Sequence, residues 1–419
     1  MGAQLARMAI AATLVFGSGA APTVHGQQSD EDPTVRALVS RLRLEQYKAT
    51  IKGLTQFGDR RQGTKRNRDA VDWIEAQLQA VGCTTTERIA YTFTPRARPP
   101  AGGGGRVGTR PPLNPSEPTP TGGRIGRNGN GPGGSSIFGY RRRTGVERDP
   151  MAQPDEALRA LNSEEPTPGE RTEVYCTKVG TTNPDEMYII GAHMDGHGFG
   201  EAANDDGSGS AIVMELARIF SAEDVQTGRS IRFALWNNEE TGLNGSRAYV
   251  EQRRERQGLE DPPGSGRYPE PRWLGMIQHD MMLFDHGAPG PDGVVSRDQR
   301  AEADVNIEFQ SNSDLAEESR DLAFFFKAAS DAYATDYPAM VGPHMTNTDS
   351  TPFMNAVPSI SLRENERGMH VGAGWDPHWH QPTDLYSTFT DDDFRLGLNA
   401  AQTTLAAIAQ LVDAEIDSR

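Results

Sequence analysis

The chain is poor in cysteine, with only Cys83 and Cys176 among its 419 residues. A structural zinc site made of thiolates alone needs four cysteines, so any metal here must be held mainly by histidines and carboxylates. Both cysteines lie in β-rich runs, GCTTTERIAYTF and TEVYCTKVG, of the kind that pair in a sheet. In an oxidising compartment they can form one disulfide, and two separate buried thiols are the alternative.

Positive charge is also scarce, since the sequence has 42 Lys and Arg residues but 58 Asp and Glu residues, which gives a formal net charge of −16. This balance argues against a nucleic-acid partner for the whole protein. Arginine is the main charge of a segment dense in Gly and Pro, at residues 95–169. No regular aromatic spacing accompanies these arginines, so a solvated loop is a better interpretation than an RNA-binding tail. A segment of this composition buries too little apolar surface to offset the entropy that it loses on ordering, so we expect a mobile, disordered insertion.

Long apolar runs are absent beyond the N-terminal region, so the sequence predicts no membrane span. The first residues combine Arg7, a short apolar stretch and then small residues, which is typical of a signal peptide. We predict a signal peptide at residues 1–26, with cleavage after Gly26, and a soluble protein exported to the periplasm or the extracellular space. A buried N-terminal helix is the alternative interpretation.

Apolar periodicity alternates between strands and helices along most of the remaining chain. Helices are predicted at 33–57, 66–82, 207–222, 242–258, 315–334 and 392–414, and strands at 84–93, 172–180, 187–193, 230–237, 274–282, 303–311 and 357–362. This alternation predicts an α/β fold, with a mixed, mostly parallel twisted sheet and helices on both faces.

Polar side chains cluster where the predicted strands end, which is where open α/β sheets bind ligands. Histidines, aspartates and glutamates recur at these points, as expected for a metal site. The candidates, in chain order, are His193, Asp195, Asp205, Glu239, Glu240, Asp280 and His380.

Each candidate also has a purely structural interpretation. His193 alone is more often a hydrogen-bonded structural histidine than a ligand, but Asp195 can accept from its other ring nitrogen and fix its tautomer. Asp205 and Asp206 could cap the helix that begins near Gly207. One cap needs one acid, so we assign the cap to Asp206, and Asp205 then fits a carboxylate that bridges two cations.

The adjacent pair Glu239 and Glu240 directly follows a buried strand, where two neighbouring carboxylates need a reason to be tolerated. A hydrolytic metal site needs ligands, an open water position and a general base that is not a ligand. One turn carrying two glutamates supplies a ligand and a base. The one-zinc protease motif H-E-x-x-H and the serine-hydrolase motif G-x-S-x-G are both absent from the sequence.

The motifs GAHMD, NDDGSG, NNEETGLNGSRAYV, QHDM and HWHQPTD occur in this order. Together they resemble the M28 metallopeptidases, specifically the di-zinc aminopeptidases of secreted bacterial type, over residues 40–94 and 170–415. The resemblance implies a zinc-exopeptidase, phosphorylase/hydrolase-like fold, with residues 27–419 as a single catalytic α/β domain interrupted by the insertion 95–169. It also implies two Zn²⁺ ions per chain and peptide substrates.

The same resemblance implies a role for each candidate. Asp205 bridges the two zinc ions. Glu240 and His380 are the other ligands of one zinc ion, and His193 and Asp280 are the other ligands of the second. Glu239 is the general base and Asp195 orients His193. The ligand is His380 rather than His378 because the family places an aspartate four residues after it, as Asp384 is here.

One stretch departs from the family pattern, and two further residues match no ligand position of the family. The stretch GPHMTNTDS lacks the tyrosine that helps to hold the oxyanion in related enzymes, so either His344 substitutes or the zinc ions act alone. Asp349 matches the family aspartate of that stretch, as a structural or supporting residue. Glu201 and His197 match no ligand position and are interpreted as residues on the rim.

These observations predict a secreted exopeptidase that removes N-terminal residues from peptides with a metal-activated water. Three alternatives remain: carboxypeptidase or dipeptidase specificity on the same site, a glutaminyl cyclase-like acyltransferase that uses one zinc, and a non-catalytic binding protein on the same fold.

Overall fold

The structure, a computed structural model, describes residues 32–94, 136–137, 140–141, 146–287, 296–343, 348–364 and 376–417, with only the backbone at 136–137 and 140–141. The predicted signal peptide, most of the predicted insertion and His344 lie outside these residues. Among the residues described, no helix combines the length and apolar character that a membrane crossing requires.

The described chain contains both helices and strands. The helices are α1 (Pro33–Val39), α2 (Leu44–Thr55), α3 (Lys65–Ala80), α4 (Glu156–Asn162), α5 (Gly207–Phe220), α6 (Asn244–Arg253), α7 (Ala316–Tyr333) and α8 (Asp391–Leu411). The strands are β1 (Thr86–Phe93), β2 (Ser136–Ile137), β3 (Tyr140–Arg141), β4 (Gly169–Lys178), β5 (Asn183–His193), β6 (Val225–Gln226), β7 (Arg229–Trp236), β8 (Arg272–His279), β9 (Val305–Phe309), β10 (Ala339–Pro343), β11 (Ser359–Arg363) and β12 (Glu415–Ile416).

An eight-stranded sheet organises the fold, with the strand order β1-β4-β7-β5-β8-β11-β9-β10. The central strands β7, β5, β8 and β11 run parallel, whereas β1, β4 and β9 join them with antiparallel pairings. The predicted α/β class with a mixed, mostly parallel sheet is therefore confirmed. The carboxyl ends of the four central strands meet at one edge of this sheet.

Strand β5 shows how the sheet is buried on both faces. Its alternate residues Met187 and Ile189 belong to one apolar cluster, and Ile190 and Ala192 belong to the other. Successive side chains of a strand point to opposite faces, so a strand covered on both sides is apolar without interruption. Helices α5 and α8 pack on the larger cluster, and α6 covers the smaller one.

A disulfide joins Cys83, which follows α3, to Cys176 in β4. Of the two alternatives that the sequence left open, the bridge is the one observed. It closes a chain segment with a sequence separation of 93 residues. In the chain-entropy account, a loop of this length corresponds to about 4–5 kcal/mol of stabilisation.

Residues 146–169, at the end of the predicted insertion, carry regular structure and specific contacts. Asp155 caps α4 by accepting from the backbone N–H groups of Ala157 and Leu158. Asn162 is buried, where it accepts from the backbone N–H of Asp59 and donates to the carbonyl of Gly200. This part of the segment is thus tied to the loops around the carboxyl edge of the sheet, although the Gly- and Pro-dense part lies outside the described residues.

Candidate metal centre

The carboxyl edge of the central sheet brings together the candidates that the sequence places far apart. His193 is the last residue of β5, and Asp280 directly follows β8. Glu239 and Glu240 lie in the turn after β7, and Asp205 lies just before α5. His380 reaches the same point from the loop that precedes α8.

Asp205 lies between two histidines. Its Oδ1 is 3.2 Å from Nε2 of His193, and its Oδ2 is 3.0 Å from Nε2 of His380. Asp384 holds the backbone of this segment, since its carboxylate accepts from the N–H groups of Asn204 at 2.8 Å and of Asp205 at 3.1 Å. A carboxylate that offers one oxygen to each of two imidazoles can bridge two cations.

Glu240 extends the cluster on the His380 side. Its Oε2 is 2.9 Å from Nε2 of His380 and 3.1 Å from Nε2 of His197. The two imidazole rings stand edge to face, with centroids 4.1 Å apart. Although the sequence placed His197 on the rim, the structure therefore brings it to within contact distance of a predicted ligand.

Asp280 approaches the cluster from the His193 side, with its Oδ1 3.8 Å from Nε2 of His193. Its other oxygen accepts a 2.6 Å hydrogen bond from Nη2 of Arg363. Arg363 is the last residue of β11, and its Nε lies 3.6 Å from a carboxylate oxygen of Glu308. The buried guanidinium thus fixes the orientation of the Asp280 carboxylate, leaving Oδ1 towards His193.

Asp195 contacts both His193 and the glutamate turn, but with different atoms. The acceptor for Nδ1 of His193 is the backbone carbonyl of Asp195, at 2.9 Å, rather than its carboxylate. The carboxylate instead accepts from the backbone N–H of Glu239 at 2.9 Å. Asp195 therefore orients the histidine through its main chain and positions the glutamate turn through its side chain.

Asp206 caps α5, as predicted, by accepting from the backbone N–H of Gly209. Its carboxylate also accepts from the backbone N–H groups of His193 at 3.1 Å and of Met281 at 3.1 Å. One buried carboxylate thus joins the start of α5 to the ends of β5 and β8, which sets the spacing between His193 and Asp280.

The electrostatics of the cluster favour a cation among the carboxylates. Burial alone would lower the pKa of His380, but the carboxylates of Glu240 and Asp205 raise it to about 9. Burial raises the pKa of Glu240, yet His197 and His380 outweigh it and bring the value to about 2. Burial raises the pKa of Glu239 well above its usual range, although His193 opposes this shift. Without metal, the protonated imidazole of His380 thus supplies positive charge among the acids.

The donor atoms fit a metal ion of the zinc type. Two groups of donor atoms, each within 4.8 Å of one another, occur among the residues that the structure describes: His197, Glu240 and His380, and His193, Asp205 and Glu240. In that part of the chain, Oδ2 of Asp205, Oε1 of Glu240 and Nε2 of His197 are buried without an aligned hydrogen bond. Imidazole nitrogens and carboxylate oxygens are ligands that Zn²⁺ accepts.

Other histidines and acids near the centre have separate contacts. The ring of His378 bonds Thr383 through Nδ1, so His380, and not His378, reaches the cluster. Glu201 accepts from the backbone N–H of Tyr386 at 2.7 Å and thereby holds a loop. Asp349 is buried and accepts from the hydroxyl of Ser246.

Sequence reasoning missed Arg363, and it placed His197 on the rim without predicting its contact with Glu240. Arg363 comes at the end of a buried strand on the same sheet edge, and this is the signal that singled out Glu239 and Glu240. No comparable signal marks His197, because its place depends on how a Gly-rich loop folds back onto the His380 loop.

A cavity of about 550 Å³ opens beside Glu240 and His197. Its walls include Arg61, Arg148 and Glu147, of which the last two come from the end of the predicted insertion. The backbone N–H of Glu147 also donates to the carbonyl of His380 at 3.0 Å. The segment from residue 146 onward therefore forms one wall of a cleft that leads to the cluster.

Comparison with known proteins gives a family match over most of the described chain. The model of peptidase family M28 matches residues 174–403. An aminopeptidase of Pseudomonas aeruginosa is 31% identical over 163 residues, which are 38% of this chain and 30% of that protein. Leupeptin-inactivating enzyme 1 of Streptomyces exfoliatus is 41% identical over 68 residues, 16% of each chain. Carboxypeptidase Q of Xenopus laevis is 33% identical over 73 residues, 17% of this chain and 16% of that protein.

The chain thus spans less than a third of the length of these curated relatives. Solved structures cover more of it. A zinc aminopeptidase from Bacillus subtilis superposes with a TM-score of 0.55 and 16% identity, covering 88% of this chain and 95% of that one. An aminopeptidase from Aneurinibacillus sp. strain AM-1 superposes with a TM-score of 0.54 and 18% identity, covering 92% of this chain and 97% of that one. At these identities the superpositions show a shared fold.

Proposed function

Because this chain belongs to peptidase family M28, we propose that it is a secreted, zinc-dependent aminopeptidase with a dinuclear metal site. The relatives named as aminopeptidases and the fold shared with a zinc aminopeptidase support this activity. The substrates would be peptides with a free N-terminus.

The observation that carries the proposal is the position of Asp205. One carboxylate contacts two histidines from different parts of the fold, at 3.2 and 3.0 Å. Such an arrangement suits two metal ions that share a bridging ligand, about 3.5–4 Å apart in dinuclear hydrolases.

We assign the ligands around that bridge. His193 and Asp280 would hold one zinc ion with Asp205, and Glu240 and His380 would hold the other. Bound zinc supplies a Lewis acid that lowers the pKa of a coordinated water to about 7 and polarises the scissile carbonyl. The protein holds the ligands in place and keeps the carboxylates buried.

Glu239 is the proposed general base. Its neighbour Glu240 belongs to both groups of donor atoms found among the described residues, whereas Glu239 belongs to neither. Its backbone N–H is fixed by the carboxylate of Asp195. A carboxylate beside the metal ligands that is not itself a ligand can take the proton of the attacking water and deliver it to the leaving amine.

Carboxypeptidase specificity is the second candidate, and the cleft gives a reason to consider it. Arg61 and Arg148 line the cavity beside the cluster, where a guanidinium could bind a C-terminal carboxylate. Glu147 in the same wall could instead face a free α-amino group. A panel of peptides with free or blocked termini, with the products identified, separates the two specificities.

Export is proposed together with this activity. The disulfide between Cys83 and Cys176 supports folding in an oxidising compartment. N-terminal sequencing of the protein recovered from culture medium or periplasm would test cleavage after Gly26. An intact N-terminus on the recovered protein would contradict it.

The test of the mechanism is Glu239→Gln. This variant keeps the shape of the side chain but removes the proton acceptor, so we expect two zinc ions per chain and a loss of kcat of about a thousandfold or more. Exposed Glu251→Gln serves as the control, with rates like the wild type. Hydrolysis at the wild-type rate by Glu239→Gln would rule out this base.

A further inference from the structure

We propose that His197 is a fourth protein ligand of the metal held by Glu240, His380 and Asp205, so that the two metal positions have unequal ligand sets. The inference rests on the proposed dinuclear site. It adds a residue outside the five ligands that the motifs assign, and it gives the two metal ions different environments.

The donor atoms of His197, Glu240, His380 and Asp205 are linked by three short distances. Oε2 of Glu240 lies 3.1 Å from Nε2 of His197 and 2.9 Å from Nε2 of His380. The same nitrogen of His380 lies 3.0 Å from Oδ2 of Asp205. Four ligands at about 2.0–2.1 Å from a tetrahedral zinc ion are separated from one another by about 3.3 Å. The three measured separations are close to this value, and His197, Glu240 and His380 form one of the two donor groups found among the described residues.

His197 and Glu240 are in close polar contact, at 3.1 Å. Nε2 of His197 is buried and has no aligned partner among the residues that the structure describes, despite its short distance to Glu240. The other oxygen of Glu240 is also without an aligned partner in that set. A buried imidazole nitrogen and a buried carboxylate oxygen with unused bonding capacity are suitable ligands for a shared cation.

The loop that carries His197 is built against the loop that carries His380. Gly198 has φ +101°, and a Cβ at this position would lie 2.3 Å from the carbonyl carbon of His380. Only glycine permits both this backbone conformation and this approach. The two histidines therefore come together because the main chains of their loops are in contact.

Buried side chains hold the His197 loop at both ends. The guanidinium of Arg60 donates to the carbonyls of Met194 and Ala202, at 2.7 and 2.8 Å. The side-chain amide of Gln153 donates to the carbonyls of Phe199 and Pro382, at 2.8 and 3.0 Å. A ligand on a loop fixed in this way loses little freedom when it binds metal.

The consequence is a division between the two metal positions. The position at His193 and Asp280 has three protein ligands with Asp205, which is the number that leaves a place for water. The position at His197 has four, which is typical of a metal that is retained. We therefore expect the His197 position to release zinc last when a chelator is added.

The experiment measures zinc per chain during a chelator titration of the full-length protein, for the wild type, His197→Ala and the control His378→Ala. The wild type should release two zinc ions in two steps. In His197→Ala the tighter step should weaken by about a hundredfold, because a direct ligand contributes at least as much as the 10–100-fold typical of its supporting residues. The control should match the wild type. If the alanine variant does not fold, His197→Asn takes its place.

A second readout is the visible spectrum of the cobalt-substituted protein, which reports coordination number without turnover. We expect His197→Ala to change the band of one cobalt ion only. Titration curves and spectra identical to the wild type would overturn the inference. So would a lower kcat with both metal affinities unchanged, because His197 would then act on the substrate.

His380→Ala separates this inference from the proposed function. If His380→Ala loses a zinc ion and His197→Ala does not, only the inference on His197 fails. If the wild-type protein binds no zinc, or if His380→Ala keeps both ions at wild-type affinity, the dinuclear site itself fails and the inference on His197 fails with it.

Discussion

The two halves of the metal centre are held by different kinds of structure. His193 and Asp280 lie at the ends of adjacent parallel strands, so the pairing of β5 with β8 fixes their separation. Glu240, His380 and His197 lie on loops whose positions depend on hydrogen bonds between loops. The half formed by His193 and Asp280, the strand half, therefore depends on the core of the protein. The half formed by Glu240, His380 and His197, the loop half, depends on a small number of polar contacts.

Asp205 belongs to both halves, and replacing it should give the largest effect. Asp205→Asn removes the charge and one of the two oxygens that face His193 and His380. We expect loss of both zinc ions and a fall in activity of more than a thousandfold, since a dinuclear site needs its bridge. Zinc content after gel filtration is the measurement.

His193→Ala and His380→Ala are the controls for that prediction, because each should leave one metal position largely intact. Retention of two zinc ions by Asp205→Asn would show that the two halves do not share this carboxylate.

Removal of Arg363 should damage the strand half through the stability of the fold. Its Nη2 is 2.6 Å from Asp280, and both side chains are buried. Arg363→Leu removes the guanidinium of a buried ion pair with Asp280, and breaking such a pair typically costs about 3–5 kcal/mol. Urea unfolding of the metal-free protein measures the loss, and added zinc should recover part of it by binding to Asp280.

Arg395→Leu is the matched control, since Arg395 forms an exposed pair with Asp392 that should contribute less than about 1 kcal/mol. An Arg363→Leu variant as stable as this control would mean that the strand half does not depend on the buried guanidinium.

The same contrast explains what the sequence could predict. Buried strands are visible as apolar runs, so β5, β7 and β8 were predicted within a few residues, and the polar residues after them followed. The edge strand β10 was not predicted, because its sequence, AMVGP, contains glycine and proline, which are unfavourable in strands. Proline is tolerated there because β10 pairs only with β9, at the edge of the sheet.

Contacts made by loops were harder to predict. The role of Asp195 was predicted for its carboxylate, but the carbonyl reaches His193 because of the local backbone path. The overall composition of residues 95–169 indicates disorder, and for this reason helix α4 was not predicted. Its own sequence, EALRALN after Asp155, is an ordinary capped helix. These features depend on tertiary context that apolar periodicity does not encode.

A pH-dependent contact also supports the strand half. His286, which follows β8, lies with its Nε2 2.8 Å from the carboxylate of Asp393 at the start of α8. Burial alone would lower the pKa of His286, but the hydrogen bond to Asp393 raises it overall, and Asp376 contributes in the same direction. Because the pKa in the folded state is raised, the stabilisation is complete below the unfolded value of about 6.5 and is lost as pH rises through the folded value.

His286→Gln should therefore destabilise the protein by about 1–3 kcal/mol at about pH 6 and by less at about pH 9. The free energy of unfolding at the two pH values is the measurement, and His378→Gln is the control. An equal loss at both pH values would show that the contact contributes through packing rather than through charge.

Gln153 provides the smallest and most selective test of the comparison, because its side chain contacts the His197 and His380 loops, besides accepting from the backbone N–H of Asp155 before α4. Its buried side-chain amide bridges the carbonyls of Phe199 and Pro382, which lie on the His197 and His380 loops. Gln153→Ala removes about 1 kcal/mol of hydrogen bonding from the fold. The loop-held zinc should dissociate about tenfold faster, as is typical when a supporting residue is lost. The strand-held zinc should be unaffected, and so should the exposed control Gln56→Ala. Equal acceleration of both zinc ions would mean that the two halves respond as one unit, and that the difference in how they are held does not determine how tightly each binds its metal.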